Sequence, residues 1–391
     1  MPHPFVPVQS RAPRRVIFVR QRFSQFGGGE LILDRTITAM RARGVRVALL
    51  GRSWPGRNDL EFIQCDPPRF PRFRRERAFA LAACARLAGE TNVIVQSHER
   101  MPCCDIFRAG DGVHAAFVEQ RARGLNKFVS AAVALHPFHR SVIALEREMF
   151  SSPRLKAVIA NSQMVAGEIV RHFGFPHERI HLVPNGIDLA HFHPEARGRH
   201  RAEVRMRLGT APDRPVVLFV GSGFKRKGLD SAITALAASG TDAELWVIGH
   251  DRRPGAYTSS AERAGVRAPR FRMIGPVNDP LPYYAAADAL ILPSIYDPFP
   301  STVIEALACG LPVVTSTGCG ARDAVARLDP SLVRDTHDVD GLAAALRRAL
   351  DLAAEPATIG QARAIASNYD MDRMIELTFS VYAGLGIDPQ A

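Results

Sequence analysis

The stretch from Leu290 to Val314, LILPSIYDPFPSTVIEALACGLPVV, constrains the fold more than any other. Ala289 to Leu292 is an apolar run of strand length, and the proline-punctuated segment Pro293 to Pro300 cannot continue it. A short helix is predicted over about Thr302 to Cys309. Gly310 stands where a helix end favours a left-handed residue, and Pro312 stops the helix. A second apolar strand runs from Pro312 to Thr315. Strand, loop, helix and strand form one βαβ unit, whose sheet is parallel and buried. Ligands of such sheets bind beyond the carboxyl ends of the strands, where this loop lies. Asp297 in the loop and Glu305 on the helix stand there eight positions apart. On the residues alone, two readings of Glu305 stay open. Thr302-x-x-Glu305 has the spacing of a capping box. A carboxylate there can also grip two vicinal sugar hydroxyls, beside a helix N-terminus that favours a bound phosphate.

The same strand-loop-helix pattern recurs along the chain. Arg15 to Val19 is a strand, followed by RQRFSQFGGGE and a helix from about Glu30 to Arg43. The loop holds Gly27, Gly28 and Gly29, which lets backbone N–H groups approach a phosphate; it is neither Gly-x-Gly-x-x-Gly nor a P-loop. Strand Asn92 to Gln96 ends in the polar loop SHERMPCCDIFRAGDGVH, with His98, Glu99, Asp105, Asp111 and His114. A long helical pattern over residues 125 to 150 is interrupted at His136-Pro137. Strand Pro215 to Val220 leads into GSGFKRKGLDSAITAL. Lys225, Arg226 and Lys227 there oppose the dipole of the helix that follows, so an anion such as pyrophosphate is expected to compensate them. Strand Glu244 to Ile248 ends at Gly249. Asp338-Val339-Asp340 stands at a helix start and reads as a cap, not a metal site.

The Asp297-x7-Glu305 segment resembles the acid-x7-Glu segment of the retaining, family-four glycosyltransferases of GT-B fold. The resemblance covers nearly the whole chain beyond residue 14. It implies an α/β chain of two Rossmann-like domains facing each other across a cleft, with a C-terminal helix crossing back to the N-terminal domain. The acceptor-binding domain is expected over 15–190, the nucleotide-sugar domain over 191–370, and the crossing helix and tail over 371–391. PNGID with Phe192-His193-Pro194 is similar to the family's interdomain segment. By the resemblance, Glu305 holds the nucleotide ribose, Arg226 and Lys227 the donor diphosphate, and Gly249 lies near the base. Gly28 and Gly29 face the pyrophosphate. Asp297, in place of the usual Glu and one methylene shorter, lies by the donor sugar. Met101-Pro102, Asp105 and Gly110-Asp111 are similar to a segment of the lipopolysaccharide-core glucosyltransferases, which makes Asp111 the active-site acid. The implied reaction moves a hexose from UDP-glucose to a saccharide or lipid-linked saccharide, with no metal and no cofactor beyond the donor. A nucleotide-sugar 2-epimerase and a non-catalytic binding protein share the architecture and are the rivals.

At 391 residues the chain is too long for one ordinary core, and no apolar run reaches the length of a spanning helix. The N-terminus lacks an apolar signal core, so a cytoplasmic chain is expected. Six Cys with neither C-x2-C nor His at zinc spacing are expected as reduced, mostly buried thiols. Charge is uneven. The first 175 residues hold 27 Lys+Arg against 14 Asp+Glu, while the remainder is nearly balanced, so the N-terminal half is expected to meet something anionic. PRFPRFRRER, residues 68 to 77, interleaves Arg with Phe70 and Phe73. No helix-turn-helix, zinc-finger or RNP signature accompanies it, which disfavours nucleic acid. An anionic inner-membrane surface on the cytoplasmic face suits that composition better.

Overall fold

A computed structural model describes residues 15–22, 28–54 and 59–386. Among them, two parallel sheets face each other across a cleft. The first runs in the order β3-β2-β1-β4-β5-β6-β7. Its strands are β1 (Arg15–Val19), β2 (Val47–Gly51), β3 (Glu61–Gln64), β4 (Val93–Ser97), β5 (Ile106–Arg108), β6 (Ala157–Ala160) and β7 (Ile180–Leu182). The second runs β10-β9-β8-β11-β12-β13. It comprises β8 (Val216–Val220), β9 (Glu244–Ile248), β10 (Phe271–Gly275), β11 (Ala289–Leu292), β12 (Val313–Ser316) and β13 (Val333–Arg334). All pairings within both sheets are parallel.

Strand periodicity explains the layering. In β1, Ile17 and Val19 join one core while Val16 and Phe18 join the core on the opposite face. β2 divides in the same way, Ala48 and Leu50 from Val47 and Leu49. In the second sheet every residue of β8, β9, β11 and β12 is buried, as near-continuous apolar strands require.

The helices of the first domain are α1 (Gly28–Ala42), α2 (Arg75–Leu87), α3 (His114–Ala122), α4 (Lys127–Leu135), α5 (Pro137–Phe150) and α6 (Gln163–Phe173). The expected helix over 125–150 is two helices parted at His136, because Pro137 lacks the donor that would continue the first. Ser162 caps α6, accepting from the Val165 N–H at 3.2 Å. α7 (Ala196–Arg207) opens the second domain. α8 (Phe224–Lys227) and α9 (Leu229–Ala238) follow β8, and α10 (Pro254–Arg263) and α11 (Leu281–Ala286) precede β11. α12 (Ser301–Ala308) joins β11 to β12, one residue earlier than its pattern suggests. α13 (Arg322–Leu328), α14 (Val339–Ala354) and α15 (Pro356–Ala366) complete the domain. Asp338 caps α14 through the Gly341 N–H. α16 (Met371–Gly384) crosses back, placing Met374, Phe379, Val381 and Tyr382 in the core of the first sheet.

The cysteines differ from expectation. Cys84 on α2 and Cys103 after β4 form a disulfide, because α2 packs the loop that β4 delivers; Cys65, Cys104, Cys309 and Cys319 are buried thiols. Among the described residues no helix is long and apolar enough to cross a membrane.

Candidate active site

In each sheet the strand order reverses beside the first strand of its domain, between β1 and β4 and between β8 and β11. Loops leaving such neighbours diverge and open a crevice at the carboxyl edge. The two crevices face each other, and together they line one cavity of about 1270 Å³. Gly29, Asp111, Arg226, Lys227, Gly249, Asp297 and Glu305 all border it. Gly28 is the first residue of α1. Gly27 lies outside the described residues.

The donor-side half grows out of β8. Gly221 and Gly223 let the chain turn into α8, a single helical turn that ends in Lys225, Arg226 and Lys227. Gly228, at φ 78°, separates it from α9; a Cβ there would sit 2.1 Å from the carbonyl oxygen of Pro293. The three cations therefore occupy the C-terminal turn of α8, where the dipole favours them, and not the first turn of the next helix. They also diverge. Lys225 is exposed and does not line the cavity, whereas Lys227 is buried and Arg226 half-buried beside it.

Asp297 answers them. Its carboxylate lies 2.5 Å from Lys227 Nζ and 3.2 Å from Arg226 Nη1. Burial opposes its charge, but Lys227 and then Arg226 outweigh that and hold the carboxyl below its ordinary range. Glu305 is not part of a capping box. The N-cap of α12 is Pro300, and among the described residues no side chain caps the helix. Glu305 instead accepts from the Tyr284 hydroxyl at 2.9 Å. Burial raises its pKa to about 7, against the Tyr284 bond and the charge of Lys227. Ser301 and Thr302, at the start of α12, line the same cavity, and the buried Thr302 hydroxyl has no partner among the described residues. Gly249 closes the far wall with φ 132°; a Cβ there would lie 1.9 Å from the Gly221 carbonyl oxygen.

On the facing wall Asp111 projects into the cleft with its side chain half exposed and pairs with Arg20 at 2.9 Å. Partial burial would raise its pKa; Arg20 more than compensates, and Asp111 stays below the ordinary carboxylate value. Arg20 follows β1 directly and also binds Glu30 at 3.1 Å and Glu99 at 3.6 Å. His98 is kept neutral by burial, with Arg20 and Arg108 adding. His114 falls to about 3 through burial, Arg100 and His139. Both line the cavity as uncharged imidazoles. Asp105 does not join them. It precedes β5, at the opposite end of that strand, and accepts from the Val95 N–H at 3.0 Å.

Arg20, Arg100, Arg108 and Tyr296 also line the cavity and are not among the residues that the sequence singles out. Arg20 had a local signal, a cation at the carboxyl end of an apolar strand. Arg108 ends β5, reaches Asn185 of the interdomain segment at 3.1 Å, and is lowered by burial to about 10. Tyr296 crosses between domains and had no local signal at all.

Two family models match the chain in succession: "Glycosyltransferase Family 4" over residues 26–191 and "Glycosyl transferases group 1" over residues 200–364. The lipopolysaccharide glucosyltransferase WaaG of Escherichia coli (strain K12) is 26% identical over 342 residues, covering 86% of this chain and 89% of that one. The crystal structure of WaaG superposes with a TM-score of 0.78 over 94% of this chain and 99% of that one. A D-inositol 3-phosphate glycosyltransferase of Salinispora arenicola (strain CNS-205) is 34% identical over 62% of this chain, which spans 57% of that relative's length. The structure of Anabaena Alr3699/HepE in complex with UDP and glucose shares the fold, with a TM-score of 0.68 at 18% identity over 95% of this chain and all of that one.

Proposed function

Because this chain belongs to the GT-B glycosyltransferases, a family-four domain followed by a group 1 domain, we propose that it moves a hexose, glucose from UDP-glucose, to a saccharide acceptor with retention of configuration. The observation that carries this reading is the convergence of Arg226, Lys227, the start of α12 and Glu305 on one cavity at a sheet's switch point. That set matches the two ends of a nucleoside diphosphate. Glu305 grips the ribose hydroxyls, and the two cations take the diphosphate.

The difficult event in glycosyl transfer is departure of the diphosphate, which gains negative charge as the bond to the anomeric carbon breaks. A cation about 4 Å from that charge contributes about 1 kcal/mol in water and about 4 kcal/mol at the effective dielectric near a protein surface. Lys227, buried before the ligand arrives, works at the stronger end. Two cations and the start of α12 supply the charge that a metal otherwise would. Asp297 must loosen from Lys227 as the diphosphate enters, and it then meets the donor sugar's hydroxyls. Asp111, held ionised by Arg20, accepts the proton of the attacking acceptor hydroxyl, which approaches the same face the diphosphate leaves.

The acceptor reading, a lipopolysaccharide-core saccharide presented at the cytoplasmic face of the inner membrane, rests on the likeness to WaaG together with the surface of the first domain. Phe70 and Phe128 are 88% and 90% exposed there, and Leu135, on the same helix as Phe128, is exposed as well. The Arg72–Arg74 turn and α4 both pack on α5, so basic and apolar groups flank one helix.

Incubation with a panel of nucleotide sugars, with and without a saccharide acceptor, tests this reading. Acceptor-dependent release of UDP from UDP-glucose is the expected result. An acceptor-independent 2-epimer of the nucleotide sugar supports the epimerase instead, and absence of turnover with intact nucleotide binding supports a binding protein.

A further inference from the structure

Tyr296 belongs to the second domain by sequence and to the first by packing. Its backbone is tied into the donor loop. Arg226 Nη1 donates to its carbonyl oxygen at 3.0 Å, and the neighbouring Ile295 N–H donates to the Arg226 carbonyl oxygen at 2.9 Å. Asp297 follows directly. Its side chain leaves that loop and enters the hydrophobic core of the first sheet, 2% exposed, edge-on to Phe117.

There the phenol makes two hydrogen bonds to the opposite domain. The Val113 N–H donates to its oxygen at 2.8 Å, and its O–H donates to Glu168 Oε2 at 2.7 Å. Val113 lies two residues beyond Asp111 and precedes α3. The turn between them is shaped around the phenol: Gly112 has φ 72°, and a Cβ there would lie 2.4 Å from the Tyr296 oxygen.

Resting on the glycosyltransferase reading above, we propose that Tyr296 is a positioning residue that registers the diphosphate loop on the acceptor loop, with Glu168 as its anchor. One side chain thus fixes the distance between Lys227 and Asp297 on one wall and Asp111 on the other. Reacting groups held in such register gain several powers of ten over the same groups left to drift. The phenol's proton is committed to Glu168, which leaves the oxygen's lone pairs to accept from the Val113 N–H. Its other charged neighbours are Arg171 on its own helix, Arg322 on α13 and Glu119 on α3.

Tyr296→Phe keeps the ring and removes both bonds. The expected result is a fall in kcat of at least tenfold, with the UDP dissociation constant, read by calorimetry, within threefold of wild type. Hydrogen exchange at the Val113 amide accelerates at least tenfold. Glu168→Leu, which leaves the phenol without an acceptor, lowers kcat in the same way; Glu168→Gln, which keeps a carbonyl oxygen for it, recovers most of that loss. Turnover of Tyr296→Phe within twofold of wild type overturns the proposal, as does unchanged exchange at Val113. If wild type turns over no nucleotide sugar, the glycosyltransferase reading fails on its own, and exchange at Val113 still decides whether Tyr296 ties the two loops.

Discussion

The ammonium of Lys227 lies 2.5 Å from the carboxylate of Asp297, so the cation proposed to bind the diphosphate already has a partner within the protein. This pairing stabilises a buried lysine that would otherwise stand uncompensated. If Lys227 takes the diphosphate as proposed, the pairing also sets Asp297 in competition with the ligand for the same cation.

Asp297→Asn removes that competitor and keeps the side chain's size. UDP is expected to bind several-fold more tightly to this variant, because the diphosphate no longer displaces a carboxylate. Transfer falls, because the amide cannot accept from the sugar hydroxyls as a carboxylate does. Calorimetry and steady-state kinetics read the two effects separately. Weaker UDP binding to Asp297→Asn would refute the competition.

Lys227→Ala is expected to lower kcat about 10²–10³-fold, the loss typical of removing one preorganised group that stabilises developing charge. The fold should persist, since Lys227 makes its ion pair at the edge of the cavity and not in the core. Circular dichroism checks the fold, and UDP release checks the rate. Turnover within twofold of wild type would remove Lys227 from the diphosphate site.

Glu305 has a pKa raised to about 7 by burial. In the proposed ribose-binding role, its ionised form would accept from both ribose hydroxyls, whereas its protonated form would accept from fewer. Affinity for UDP-glucose, whose diphosphate carries no proton near neutrality, is therefore expected to rise about tenfold from pH 6 to pH 8 as this carboxyl ionises. Glu305→Gln should bind more weakly at pH 8 and show a flat profile. A wild-type affinity independent of pH over that range would detach Glu305 from the ribose.

How far these groups could be read from the sequence follows from how local their signals are. β11 and β9 carried their bounds in apolar runs, and α12 was placed to within one residue by Gly310 and Pro312. Glu305, Arg226 and Lys227 sit at fixed offsets from such strands, so they could be named. β13, two residues long, and α3, which follows a polar loop, had too little periodicity to register. The Cys84–Cys103 bridge and the insertion of Tyr296 beside Glu168 depend on distant segments meeting, which no local pattern encodes. Asp105 misled because its loop begins at the carboxyl end of β4 and ends at the opposite end of β5.

Glu168 offers a stability measurement. Burial raises its pKa from 4.5 to about 7, with the Tyr296 bond, Arg171 and Arg322 opposing and Glu119 adding. A carboxyl whose folded-state pKa is raised costs nothing while protonated; the cost appears as pH rises from about 4.5 and is complete above about 7. Glu168→Gln removes that ionisation, so its melting temperature relative to wild type should climb across this window. The full shift corresponds to about 3 kcal/mol at most, or several degrees for a domain of this size. A constant difference between pH 5 and pH 8 would show that Glu168 does not ionise at a raised pKa.

The surface of the first domain makes the last prediction. Phe70, Phe128 and Leu135 are exposed, and Phe70 stands within the Arg-rich segment 68–77. Exposed rings alone would bind neutral and charged bilayers alike, and basic residues alone would hold anionic lipid at about 1 kcal/mol for each Lys or Arg near the surface. Acting together they predict retention by vesicles containing anionic lipid at low salt and release as salt screens the charges, with little retention by neutral vesicles. Phe70→Ser with Phe128→Ser should weaken retention by anionic vesicles and leave UDP affinity untouched, since neither residue borders the cavity. Equal retention by neutral and anionic vesicles would discard the electrostatic part, and retention unchanged by the double substitution would discard the aromatic part.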